Sequence, residues 1–165
     1  MPPNCTLQLL GAHHAEPLLA FERENRAYFA ASVPDRGDAY FQEFAARHAA
    51  LLEEQDRGQH RFHVLVDEDG AVLGRVNLVD VREDHSADLG FRIAARAAGR
   101  GLATSAVREL CGRAGADYGL RVLRAAATLD NAGSRTVLTR SGFRPTGPVV
   151  LDGRAGLGFL RELPA

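Results

Sequence analysis

The segment RAAGRGLATSAVREL, Arg96 to Leu110, runs from a glycine-rich turn directly into residues spaced as a helix. A strand, such a turn and a helix gather several unpaired backbone N–H groups at one point, and the helix dipole adds partial positive charge there. That combination binds phosphate. Gly99 and Gly101 let a ligand approach the backbone closely, and either can take a positive φ. Two phosphate motifs do not fit. A P-loop ends in Gly-Lys followed by Ser or Thr, and GRGLAT has no lysine. A dinucleotide fingerprint needs a third glycine where Thr104 stands, and a βαβ unit where the turn spacing gives a meander.

Other chemistry-bearing residues flank this turn. Glu83, Asp84, His85 and Asp88 lie on or just before the strand that feeds it, within reach of proton-transfer roles. Asn131 and Ser134 stand at the start of a short helix, where each could bond a ligand or cap the backbone. His60 and His63 are not arranged with other ligands as a metal site. Cys5 and Cys111 show no paired spacing, which favours a reducing, cytoplasmic setting. Cys111 falls on an apolar helix stripe and reads as a buried structural thiol.

Charge is uneven along the chain. Met1 to Phe91 holds 8 Arg against 16 acids, and Arg92 to Arg144 holds 10 Arg against 3. The basic block contains the glycine turn, as a polyanion site would. The acidic half predicts an acceptor of net positive charge, drawn to that surface.

The elements that position these residues follow from periodicity. At 165 residues the chain is read as one domain, 1–165, large enough to bury a core. No apolar run is long enough to span a bilayer, and no membrane or nucleic-acid partner is predicted. Thr6 to Leu10 reads as a strand and Ala15 to Ala31 as a helix with Pro17 in its first turn. Phe41 to Gln55 carries apolar residues at three- and four-residue spacing, a second helix with His48 on its edge. Phe62, Val64 and Val66 alternate, a turn ends at Asp69-Gly70, and AVLGRVNLVDV completes a hairpin. In the next strand Ala87, Leu89, Phe91 and Ile93 share one face, and Asp88, Gly90 and Arg92 the other. After the turn come a helix stopped near Gly119, the strand RVLRAAATL, a short helix closed by Gly142, and two closing strands in FRPTG and AGLGFLREL.

Arg96-x-x-Gly99-x-Gly101, after a strand and opening a helix, resembles the Gln/Arg-x-x-Gly-x-Gly/Ala motif of the GNAT acetyltransferases. DNAGSRTVLTRSGF, Asp130 to Phe143, is similar to that family's Asn-x-x-Ser…Gly-Phe segment. ENRAYF and ADLGFRI resemble the ribosomal-protein N-terminal acetyltransferases of the RimJ/RimL type. The resemblance is collinear over nearly the whole chain and thinnest between Val33 and Gln59. It implies an α+β fold: a mixed, mostly antiparallel twisted sheet flanked by helices, with a V-shaped opening between central strands. It implies acetyl-CoA as cosubstrate, no metal, and direct attack of an amine with no covalent enzyme intermediate. The acceptor it implies is a protein or peptide N-terminus, ribosomal or other. Its rivals are a small amine or a non-catalytic acyl-CoA-binding module. A homodimer is an open assembly state.

Carried over residue by residue, the resemblance gives Gly99, Arg100, Gly101, Leu102, Ala103 and Thr104 the cofactor's pyrophosphate. Arg96 and Arg100, with Arg135 or Arg140, would supply diffuse positive charge. A backbone N–H within Phe91, Arg92, Ile93 and Ala94 would hold the oxyanion. Asn131 would bond the pantetheine arm. Leu138 stands where many members carry a tyrosine acid, so Ser134 is the expected donor to the leaving thiolate. Asp88 is the expected base, with Glu83, Asp84, His85 or an amine that arrives neutral as alternatives.

Overall fold

The computed structural model describes residues 1–164. Its centre is one seven-stranded sheet in the order β1 (Cys5–Leu9), β2 (Arg61–Asp67), β3 (Val72–Val79), β4 (Ser86–Ile93), β5 (Val122–Thr128), β7 (Arg154–Glu162), β6 (Arg144–Leu151). Every pairing is antiparallel except β4 with β5. That parallel pair holds only at Ser86–Asp88 against Val122–Arg124. Beyond Asp88 and Arg124 the two strands separate, so the V opens at the carboxyl end of β4. The mixed α+β architecture expected above is therefore present.

Helices cover both faces. α1 (Ala15–Glu24), α2 (Arg26–Ala30), α3 (Asp38–Gln42) and α4 (Phe44–Asp56) precede the hairpin. α5 (Leu102–Ala116) and α6 (Ala132–Arg140) flank β5 in sequence. Val76, Leu78, Ala87 and Leu89 pack with the apolar stripe of α5, including Val107, Leu110 and the buried Cys111. A second core joins Leu18, Phe21 and Phe29 to Phe44, Leu65 and Leu73.

Three local expectations change. The single helix over Ala15–Ala31 is broken at Asn25, whose amide bonds Phe21 O and whose oxygen accepts from Ala95 N–H at 2.9 Å. A buried side chain thus substitutes for helix continuity and ties the break to the segment after β4. The helix over Phe41–Gln55 is likewise divided at Glu43, and His48 is buried, with its ring nitrogen on Gly11 O at 3.0 Å. FRPTG extends to Leu151 as β6, through Pro145 and Pro148. An edge strand tolerates proline because half its N–H groups need no partner.

His63 is sealed in the α5-side interior, its Nε2 2.7 Å from Tyr118 Oη and its Nδ1 without a partner among the described residues. Burial, reinforced by the Arg113 charge, pushes its pKa down to about 4. The unfolded imidazole binds its proton below about 6.5, whereas the folded one resists until about 4. Stability from this residue is complete above that window and is lost as pH falls through it, by about 3 kcal/mol in all. Urea unfolding of the wild type and of His63→Gln at pH 7 and pH 4 checks this: the variant should lose less stability on acidification. Equal losses would contradict it.

Candidate active site

The glycine turn begins helix α5 with no side-chain cap. Gly99 and Gly101 have φ of +76° and +75°, a region that disfavours side chains. The first α5 hydrogen bond runs from Ser105 N–H to Gly101 O. The N–H groups of Leu102, Ala103 and Thr104 therefore have no helical acceptor. A Cβ added at Gly99 or Gly101 would meet nothing within 4 Å. The turn is an open cradle of unused donors at a helix N-terminus, which fits a pyrophosphate.

This cradle forms one end of a cavity of about 550 Å3, whose other walls are Phe91 to Ile93, the first turns of α6, and Tyr28 to Val33. A second cavity of about 220 Å3 lies along the separated part of β5. Ser32, Val33, Phe91, Asn131 and Ser134 belong to both. The meeting point of the two cavities is where a thioester held by the cradle could face an acceptor.

The ladder decides which N–H groups face the opening. Ala94 N–H donates to Leu73 O, and β3 pairs with β4 as Gly74↔Ile93, Arg75↔Arg92, Val76↔Phe91. Antiparallel bonding alternates, so Arg92 and Gly90 also point their N–H groups at β3. Phe91 and Ile93 point theirs away from β3, into the V. Either suits an oxyanion; Arg92 does not, which corrects its inclusion as a backbone donor. Its guanidinium instead lies on the α1 side, bonded to Glu22.

The other predicted residues sort by position. Asn131 Oδ1 accepts from Ser134 N–H at 3.1 Å, so Asn131 is the α6 cap. The Ser134 hydroxyl has no protein partner among the described residues and is not sealed from solvent. Leu138 is fully buried. Arg140 lines the larger cavity. Arg96 and Arg100 are exposed and outside its walls, and Arg100 Nη2 lies 3.5 Å from Arg96 O. Leu102 turns its side chain into the core, leaving only its backbone for a ligand.

Asp88 is displaced from the chemistry. It sits at the closed root of the V, on the face opposite Phe91 and three residues before it, roughly 10 Å of strand. Arg82 holds both its oxygens, at 3.2 and 3.0 Å. Asp88 is not a wall of either cavity. Glu83, Asp84 and His85 precede it at the same closed end, and Asp84 accepts from Ser86. None of these four residues lines either cavity.

Part of the acidic charge of the first half is paired in space. Asp35 and Asp38 are held by Arg26, Glu43 by Arg47, Glu53 by Arg57. Glu22, buried on α1, takes Arg36, Arg75 and Arg92 together at 3.0, 2.9 and 3.2 Å. Six of the sixteen acids of the first half are held by arginine, and two of its arginines, Arg36 and Arg75, converge with Arg92 near the opening. The readable signal for Glu22 was a carboxylate on the apolar stripe Leu18, Phe21, Phe29.

Gly101→Val tests the cradle. A branched side chain there should lower acetyl-CoA affinity tenfold or more, about 1.4 kcal/mol, by calorimetry on folded protein. Gly119→Val imposes the same left-handed strain (φ +66°) beyond α5 and should leave affinity intact. Unchanged affinity in the Gly101 variant would refute the assignment.

The sequence matches the family model described as acetyltransferase (GNAT) domain over residues 4–144. No curated protein matches it significantly by sequence. Among solved structures, it is similar to a ribosomal-protein-S5-alanine acetyltransferase from Vibrio fischeri, with 19% identity, 98% of this chain and 94% of that one covered, and a TM-score of 0.92. An acetyltransferase from Salmonella typhimurium, described as modifying the N-terminal serine of ribosomal protein L7/L12, aligns at 15% identity over 98% and 96%, TM-score 0.85. A spermidine N-acetyltransferase from Vibrio cholerae, in complex with CoA and spermine, aligns at 17% over 96% and 95%, TM-score 0.78.

Proposed function

The chain belongs to the GNAT acetyltransferases, and on that premise we propose that its acceptor is the α-amine of a protein or peptide N-terminus. As a member it is an enzyme that transfers acetyl from acetyl-CoA to an amine. The observation that carries the proposal is the composition of the walls. Phe91 adjoins both cavities and a third, of about 280 Å3, on the α1 side. Among the described residues on these walls the titratable acid–base groups are Asp152, in the β6–β7 turn, and Tyr28; the charged remainder is arginine. Such a site favours an amine that needs little help to lose its proton. Near pH 7 about a tenth of an α-amine (pKa about 8) is neutral, against a few parts in ten thousand of a lysine (about 10.4). Arginine walls also repel a polyamine.

In this reading the amine nitrogen attacks the thioester carbonyl carbon. Phe91 or Ile93 N–H receives the developing oxyanion, a preorganised donor that is worth about 3 kcal/mol in comparable sites. The C–S bond then breaks toward Ser134, and the amine's proton leaves through water. Both cysteines are buried and, among the described residues, neither lines a cavity, so direct attack needs no enzyme nucleophile.

Release of CoA thiol is the assay, over peptides with a free N-terminus, Nα-blocked peptides containing lysine, and spermidine. Free N-termini should be acetylated with a rate rising toward pH 8. Acetylation of lysine or spermidine with inert N-termini would overturn the proposal.

A further inference from the structure

The α1-side cavity is built on the face of the sheet that carries Arg75, Asn77, Gly90 and Arg92, with Arg36 at its side. Three guanidinium groups share one carboxylate, Glu22, which is 1% exposed. The cluster therefore carries two positive charges in excess. Arg75 and Arg92 each spend Nη1 on Glu22, and Arg75 Nη1 also lies 3.3 Å from Tyr40 Oη. Their Nη2 atoms have no protein acceptor among the described residues and are not sealed from solvent. The guanidinium groups of Arg36 and Arg92 lie over the rings of Tyr40 and Phe29, 4.7 and 4.6 Å from the centroids. Asp35 and Asp38, which flank Arg36 in sequence, are held by Arg26, and Asp88, on the same face of β4 as Gly90, is held by Arg82. Burial, with the charges of Arg36 and Arg75, holds the Arg92 pKa below its usual value.

Excess charge in a partly desolvated site is costly without a counter-anion, and planar, pre-oriented guanidinium groups match carboxylate and phosphate oxygens. Gly90 leaves the floor open: a Cβ there would meet nothing within 4 Å. The pocket touches the opening through Phe91, on the strand whose N–H groups face the reacting carbonyl.

We propose that this pocket is a subsite for an anionic group of the acceptor, a side-chain carboxylate close to the amine, so that N-termini followed by Asp or Glu are selected. The inference rests on the N-terminal acceptor reading and specifies its substrate class.

Matched peptides test it, identical except for Asp or Asn, and Glu or Gln, at the second and third positions, alongside small amines in carboxylate and carboxamide pairs. The acidic member of a peptide pair should show a kcat/KM tenfold or more above its amide. Gly90→Leu, which occupies the pocket while every arginine is retained, should bring that ratio close to one. Arg36→Gln should reduce it several-fold, and added salt should lower it in the wild type. Equal kcat/KM within the peptide pairs, or a ratio that Gly90→Leu leaves intact, overturns the subsite. Acetylation confined to small amines would instead overturn the peptide reading, and there the ratio within the small-amine pairs still decides whether the pocket reads an anion.

Discussion

Glu22→Ala is expected to cost about 3–5 kcal/mol of stability, the range for removing one partner of a buried ion pair. Glu22 is 1% exposed and accepts from Arg36, Arg75 and Arg92, residues 14, 53 and 70 positions away in sequence. Arg75 is itself buried. Removing the carboxylate leaves its charge without that anion in a largely desolvated place. Set against a total of about 5–15 kcal/mol for a domain, the loss is severe. Glu22→Gln keeps an acceptor oxygen without the charge and should fall between. The pH dependence has a fixed sign. Burial pushes the Glu22 pKa up, but Arg36 and Arg75 outweigh it and hold the group below its ordinary value. Its contribution is present above that ordinary value and is lost as pH falls through the lower, folded one. Urea unfolding at pH 7 measures the main effect. A loss under about 1 kcal/mol, the scale of an exposed pair, would mean that Glu22 does not hold the cluster.

The glycine turn was legible in sequence because its physics is local. Two positive-φ residues, a strand before them and a helical period after them all lie within Ala87 to Ala114. The place of Ser134 at the start of α6 was legible through a motif of the same short range. Glu22 was not, because its partners are brought to it by the fold, and a helix pattern alone cannot distinguish a misplaced acid from a functional one. Asp88 shows the same limit from the other side. Strand alternation placed it correctly on the face away from Phe91, yet alternation says nothing about where β4 parts from β5 or that Arg82 occupies the carboxylate. A charge count along the chain has a related limit: it does not show which acids are paired, as Glu22, Asp35 and Asp38 are. Asn25 illustrates a signal that was present but silent. An amide at a core position of an apolar stripe marks a buried polar joint, and its partner, Ala95 N–H, is 70 residues away.

Ser134→Ala is expected to lower kcat roughly ten- to a thousandfold with little change in acetyl-CoA affinity, at or below the usual range for a positioned acid. The lower part of that range applies because a thiol with a pKa near 8.5 is already a good leaving group and needs a hydrogen bond more than a full proton. The serine is free to give one. Asn131 caps its N–H, its hydroxyl has no protein acceptor among the described residues, and it lines both cavities where they meet. It stands in the first turn of α6, so the helix dipole adds to the stabilisation of a thiolate there. Other hydroxyls do not occupy an equivalent place. Tyr118 is engaged with His63 and Tyr40 with Arg75. Tyr28 lines the larger cavity alone, and Ser32 lines both but is exposed beyond α2. Tyr28→Phe and Ser32→Ala are therefore the proper controls, each expected to change kcat by no more than a few-fold. Single-turnover measurements keep product release out of the comparison. An unchanged chemical rate in Ser134→Ala, or a larger loss in Tyr28→Phe, would remove the serine from the reaction and transfer the role to the tyrosine or to water.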